Sequence, residues 1–142
     1  MAALDTITVC GADAPVSLAL EILEVEETYP SFRCAVSATV HHPSGRFTYD
    51  ASDIWFATED YDRFLAQITA MTQGTGHRAR LRDMSDYLAL EIVRDESTTT
   101  LALKVLEPLP NQDRAVLTFE GTVDADYPAR VLARLSAFQP WW

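Results

Sequence analysis

The chain is 142 residues long, 48% apolar and 23% charged, the length and composition of one folded domain, which excludes disorder and leaves no room for a second core. Folding can bury roughly two-thirds of the surface that such an unfolded chain exposes, so no disulfide or metal staple is required. The 21 acidic against 11 basic residues leave a formal charge of −10, a field that repels nucleic acid and anionic membrane and draws basic partners.

No apolar run approaches the ~20 residues of a membrane span, and residues 1–5 carry neither the basic nor the long apolar stretch of a signal peptide. The expectation is a single domain over residues 1–142 in a bacterial cytoplasm. The strands begin with Thr6-Ile7-Thr8-Val9, short and at an edge. Over residues 16–22, Leu18, Leu20 and Ile22 alternate with Ser17, Ala19 and Glu21, the period of a half-buried strand. Phe32, Cys34, Val36, Ala38 and Val40 then alternate with Arg33, Ala35, Ser37, Thr39 and His41 in the cleanest strand of the chain. Pro43-Ser44-Gly45 predicts a turn, with Gly45 free to take a positive φ. The chain returns through Phe47, Tyr49 and Ala51 toward Ile54-Trp55-Phe56. A helix follows over about 58–73, with Thr58 as its expected N-cap and Glu59, Asp60 and Asp62 near its positive end. Tyr61, Phe64, Leu65, Ile68 and Met71 share its apolar face, and Gly74 stops it.

The second half repeats the plan. Residues 78–82 and 87–94 read as strands, with Leu88, Leu90 and Ile92 inward. Leu101, Leu103 and Val105 mark a third, ended by Pro108 and Pro110, and Ala115, Leu117 and Phe119 share one face of a fourth. Asp126 is placed to cap a closing helix over about 126–138, whose stripe is Tyr127, Val131, Leu132, Leu135 and Phe138, stopped by Pro140. The prediction is an α+β fold with mostly antiparallel sheet, about eight strands in two four-strand-plus-helix halves. Asp60-Tyr61 and Asp126-Tyr127 hold matching places at the two helix starts, a slight sign that the halves are alike.

Catalytic and ligand-binding patterns are sparse. His41 and His42 are adjacent on a strand, so they point to opposite faces and cannot chelate together, and His77 stands alone. Cys10 and Cys34 fall on separate strands with no CxxC spacing and read as buried small hydrophobes. Gly74-Thr75-Gly76-His77-Arg78-Ala79 matches GxGxxA in form, but it follows a helix and precedes a strand, the reverse of the dinucleotide-binding order, so it reads as a helix stop and turn. Asp124 and Asp126 read as helix-start acids. Arg78, Arg80 and Arg82 line one face of one strand, either an anion site or a solvated face paired with Glu91 and neighbouring acids. No catalytic residue, cofactor or metal is expected. Trp141 and Trp142 either pack back onto the domain edge or anchor a partner.

The charge is uneven along the chain. Residues 1–60 hold ten acids against two bases, Arg33 and Arg46, whereas the remainder holds eleven acids against nine bases. The surplus serves either solubility alone or recognition of a cationic partner. The stretch 55–138, about 60% of the chain, carries the aromatic pair Trp55-Phe56, the acid-led helix with Phe64-Leu65 and Ile68, and the run from Gly76 through Met84 to Leu88. After two alternating strands come Leu117-Thr-Phe119-Glu and the acid-led helix at Asp124-Ala-Asp126. This pattern resembles the small bacterial immunity proteins that accompany WapA-type contact-dependent toxins, and related uncharacterised bacterial families. In two places the chain departs from it: Asp95-Glu96-Ser97 replaces the glycine turn between the two middle strands, and the double-tryptophan ending is an addition.

The resemblance implies a protein that binds and neutralises a cognate toxin, often a nuclease, and carries over no catalytic residue. Glu24, Glu26 and Glu27 in one loop region and Asp83, Asp86, Asp95 and Glu96 in another are then expected to face a basic toxin, with Trp141 and Trp142 as aromatic anchors. A structural or adaptor role in a secretion or phage-related assembly is the alternative, and an enzyme whose site is unreadable in sequence is a third. Which toxin binds, on which face, and in what oligomeric state are left open.

Overall fold

A computed structural model describes residues 4–142, so residues 1–3 of the start read for a leader lie outside the described residues. The alternating stretches form eight strands: β1 (Asp5–Cys10), β2 (Val16–Glu26), β3 (Ser31–His42), β4 (Gly45–Ala57), β5 (Arg78–Arg82), β6 (Leu88–Asp95), β7 (Thr98–Pro108) and β8 (Arg114–Val123). They make two four-stranded sheets in simple order, β1-β2-β3-β4 and β5-β6-β7-β8, with every pairing antiparallel. Helix α1 (Thr58–Thr72) follows the first sheet and α2 (Tyr127–Ser136) the second. The α+β plan of two four-strand-plus-helix halves is therefore the observed one. No helix among the described residues is long and apolar enough to cross a membrane.

One contiguous core takes the inward side chains of both sheets and the apolar stripes of both helices. Leu18, Leu20 and Ile22 meet Val36 and Cys34 across β2 and β3, while Leu88, Leu90 and Ile92 meet Val105, Leu103 and Leu101 across β6 and β7. Each such fully buried side chain contributes about 2 kcal/mol. The helices dock reciprocally: α1 packs on β5, the first strand of the second sheet, α2 packs on β1, the first strand of the other, and the two helices touch. Cys10 and Cys34 lie inside this core, and burial raises their thiols to about 11 and about 12, which keeps them protonated and unreactive.

Several local expectations change. Thr58 is the first residue of α1, not its cap; Ala57 holds the cap position with no side-chain hydrogen bond. The Thr58 amide and hydroxyl both donate to the Pro30 carbonyl, at 3.0 and 3.3 Å, so the hydroxyl is engaged sideways by the β2–β3 hairpin. Asp126 does stand at the cap position of α2 but makes no cap bond, because its carboxylate turns to Arg130 one helical turn on, at 3.0 Å. Helix α1 runs just past its stripe, to Thr72, with Gly74 following at φ +78°, whereas α2 ends at Ser136, before Phe138 of its expected stripe. Gly45 is paired with His42 inside the ladder, and positive φ among the glycines is confined to Gly74, so the hairpin turns on Pro43 and Ser44 alone. At the β6–β7 hairpin Glu96 sits at φ +53°, the left-handed region that glycine prefers, so the backbone keeps the shape of a glycine turn at a strain cost of roughly 1 kcal/mol.

Tyr61 and Tyr127, the matched residues at the helix starts, are both fully buried, and neither hydroxyl has a hydrogen-bond partner of ordinary geometry. Tyr127 lies beside the Cys10 thiol, a weak partner. A buried, unpaired hydroxyl costs about 1–3 kcal/mol. Tyr61→Phe and Tyr127→Phe should therefore each raise the stability measured by urea denaturation, by about 1 kcal/mol; a loss in both would mean that the hydroxyls are satisfied in solution.

Candidate partner interface

The arginines decide where negative charge is left free. On α1, Arg63 holds Glu59 and Asp60, both at 2.8 Å. Around β5, Arg78 pairs with Glu91 at 3.1 Å and Arg82 with Asp86 at 3.7 Å, while Arg80 shares a small hollow with Arg63, Asp60 and Gln67. Arg78 and Arg82 thus pair with acids as in the solvated-face reading, while Arg80 makes no ion pair among the described residues. On α2, Arg130 gathers Asp13, Asp124 and Asp126 at 2.7, 3.4 and 3.0 Å, and Arg134 binds Asp13 and the Val9 carbonyl. Burial pushes the Asp13 carboxyl upward, but a backbone hydrogen bond and the guanidiniums of Arg134 and Arg130 outweigh it and hold it below the ordinary 3.8. These contacts tie the β1–β2 loop to the last helix.

Strand β4 differs. Glu21, Asp50, Asp53 and Glu107 make no ion pair among the described residues. On the outer face of the first sheet the register sets Glu21 beside Ala35 and Asp50 beside Ser37, so two carboxylates stand over small side chains in a hollow of about 440 Å³. At the same strand a bulge places Ser52 and Asp53 together across from Ala35. The extra residue resets the alternation: Ile54 and Phe56 turn inward, and Asp53 takes the outward phase of Asp50. A second groove, of about 480 Å³, runs from β4 to the second sheet and is lined by Asp50, Asp53, Tyr49, Tyr87 and Glu107. Asp50, Ala51 and Ser52 border both hollows, so the acidic surface is continuous from Glu21 to Glu107.

Two contacts fix this surface. The Tyr49 hydroxyl donates to Glu107 Oε2 at 3.0 Å, and its pKa is raised to about 12, by burial first and then by the Glu107 carboxylate, which keeps it a donor at any ordinary pH. Arg33 reaches the bulge, but its guanidinium is held by Glu24 at 3.1 Å and donates to the Ser52 carbonyl at 3.0 Å. It props the bulge without pairing with Asp50 or Asp53.

The acids expected at the interface are scattered by the fold. Glu24 is paired with Arg33, Glu26 accepts the Thr28 amide at 2.9 Å, and Glu27 is exposed in the β2–β3 turn. Asp83 is removed from the surface. It is only 3% exposed, and its carboxylate accepts the amides of Ser85, Tyr87 and Leu88 to hold the β5–β6 turn. Asp86 lies in that turn, whereas Asp95 and Glu96 lie at the far end of the eight-residue β6, roughly 25 Å away, so these acids form no single patch.

Trp141 and Trp142 fold back onto the aromatic end of the core. Trp142 stacks on Phe32 at 5.4 Å and meets Tyr61 edge-on at 5.6 Å, and its indole N–H donates to both carboxylate oxygens of Asp62 at 3.0 and 3.1 Å. Trp141 stacks edge-on against Phe138 and Trp142 but is 46% exposed. Together with Val25, Glu26, Glu27 and Pro30 the two rings line a hollow of about 220 Å³. The fold thus brings four of the expected residues together there, apart from the β4 surface. The convergence of Asp50, Asp53 and Glu107 on one groove is not legible in the sequence, because acids read singly along a strand give no sign of it; the slip in alternation between Ala51 and Ile54 is the visible trace of the bulge.

The model of the immunity protein WapI-like family matches residues 11–138. No curated protein matches the sequence. A solved structure described as "trypanosoma bruciei MRP1/MRP2" superposes with a TM-score of 0.41 at 12% identity, covering 94% of this chain and 81% of that one, and nothing about function follows from it. Because Trp142 is tied into the core by stacking and by Asp62, Trp142→Ala should lower stability by about 2 kcal/mol and Asp62→Asn by about 1 kcal/mol in urea denaturation. Equal stability of Trp142→Ala and the parent would instead leave that ring free for a partner.

Proposed function

The chain belongs to the immunity protein WapI-like family, and from that membership we propose that it binds and neutralises a cognate bacterial toxin through the acidic surface of β4. The observation that carries this reading is that Glu21, Asp50, Asp53 and Glu107 line two adjoining hollows without an ion pair among the described residues, whereas the acids around both helix starts are covered by arginine. Such a face speeds encounter with a cationic partner and suits a toxin whose own site holds phosphate, as a nuclease site does. The hollow beside Glu26, Glu27, Trp141 and Trp142 is a second, smaller acid-and-aromatic surface that suits the same kind of partner. Binding alone blocks the toxin in this reading, so no catalytic step is assigned to the chain.

The test is co-expression with the toxin domain encoded beside this gene. Wild-type protein should protect the cells. Replacing Asp50, Asp53 and Glu107 together by lysine should abolish protection, while Glu91→Gln, on a paired acid, should keep it. Failure of the wild type to protect from or bind any neighbouring toxin would overturn the proposal.

A further inference from the structure

Strands β4 and β8 end their sheets, and no further strand pairs with their outer edges among the described residues. Helix α2 packs on β1 and α1 on β5, with a smaller contact from α1 to β4, the strand that leads into it. Along the free edge of β4 the described backbone makes one outside bond, from the Met84 amide to the Trp55 carbonyl at 2.8 Å, beyond the bulge. On the side away from β3, residues 45–51 therefore present backbone groups with no partner among the described residues, and the outer edge of β8 does the same. Between the two edges lies an apolar groove of about 310 Å³, formed by Phe47 and Tyr49 on one side and Val105, Val116 and Leu117 on the other. Phe47 is 62% and Val116 50% exposed, so two large apolar side chains stand at the mouth of this groove. Glu107 and Tyr49 border both this groove and the acidic one.

We infer that this groove takes an extended segment of the toxin that pairs with the β4 edge, seats an apolar side chain against Phe47 and Val116, and lays basic side chains among Asp50, Asp53 and Glu107; the inference rests on the immunity reading. The adjoining carboxylates select the occupant, since an apolar anchor beside a cation satisfies both grooves at once. A second copy of this chain is disfavoured, because pairing two β4 edges brings two sets of these carboxylates together. The bulge at Ser52 and Asp53 ends the pairing register, so the edge accepts a short segment and resists open-ended sheet growth. Along an extended partner the apolar and basic positions are about three to six residues apart.

Hydrogen exchange on the complex with the neighbouring gene's toxin domain tests this. The amides of residues 45–51 should gain protection, and Phe47→Ser with Val116→Thr should weaken binding at least tenfold with an unchanged urea midpoint, since both side chains are exposed. A complex whose protection is confined to the Glu26 and Trp141 surface, or one that the double variant binds as tightly as the parent does, overturns the inference and leaves the immunity reading standing. If no complex forms, both fall. Self-association of the protein alone that Phe47→Ser abolishes would assign the groove to a second copy and overturn the inference.

Discussion

Two sheets of this size must each bury one face, and a single helix per half is too narrow to do it. The structure meets this constraint by exchange: the helix that closes each half lies on the first strand of the other sheet, and the two helices lean on one another. Tyr61 and Tyr127, at the starts of the two helices, are fully buried with no hydrogen-bond partner of ordinary geometry for either hydroxyl. The consequence for function is geometric. Both helices are engaged at β1, β5 and each other, while the edge strands β4 and β8 border a groove where unpaired backbone, apolar side chains and a carboxylate lie close together.

Charge follows the same division. Helix faces place residues three and four apart within reach of one another, so Arg63 and Arg130 cover the acids at their own helix starts. Exposed pairs of this kind contribute little stability each. Their larger effect is on the field, since they neutralise acids around the helices and leave those along β4 unopposed. A strand alternates its side chains between faces, and Arg46, the one base on β4, stands at its beginning, beyond the acids. The uneven charge of the first sixty residues thus becomes a local surface through the choice of element.

Strand and helix periodicity made most of the fold legible. The β3 alternation, the α1 stripe from Tyr61 to Met71 and the inward Leu88, Leu90 and Ile92 are governed by local pattern, which sequence displays directly. What could not be read depends on contacts between distant residues. Thr58 is an ideal capping residue until Pro30, 28 positions earlier, claims its hydroxyl, and Asp83 looks like a surface acid until three amides of its own turn surround it. Asp50 and Glu107 are joined only by the meeting of two sheets.

The central claim is that the uncompensated carboxylates of β4 and of Glu107 on β7 draw the toxin in, and the most direct measurement is the association rate of the purified toxin domain as a function of salt. Attraction between exposed charges is screened within about 8–10 Å at physiological ionic strength. The rate should fall about tenfold or more between low and high salt, and the fall should flatten when Asp50, Asp53 and Glu107 are made neutral. A rate indifferent to salt, or one equally steep without those three carboxylates, would contradict the account.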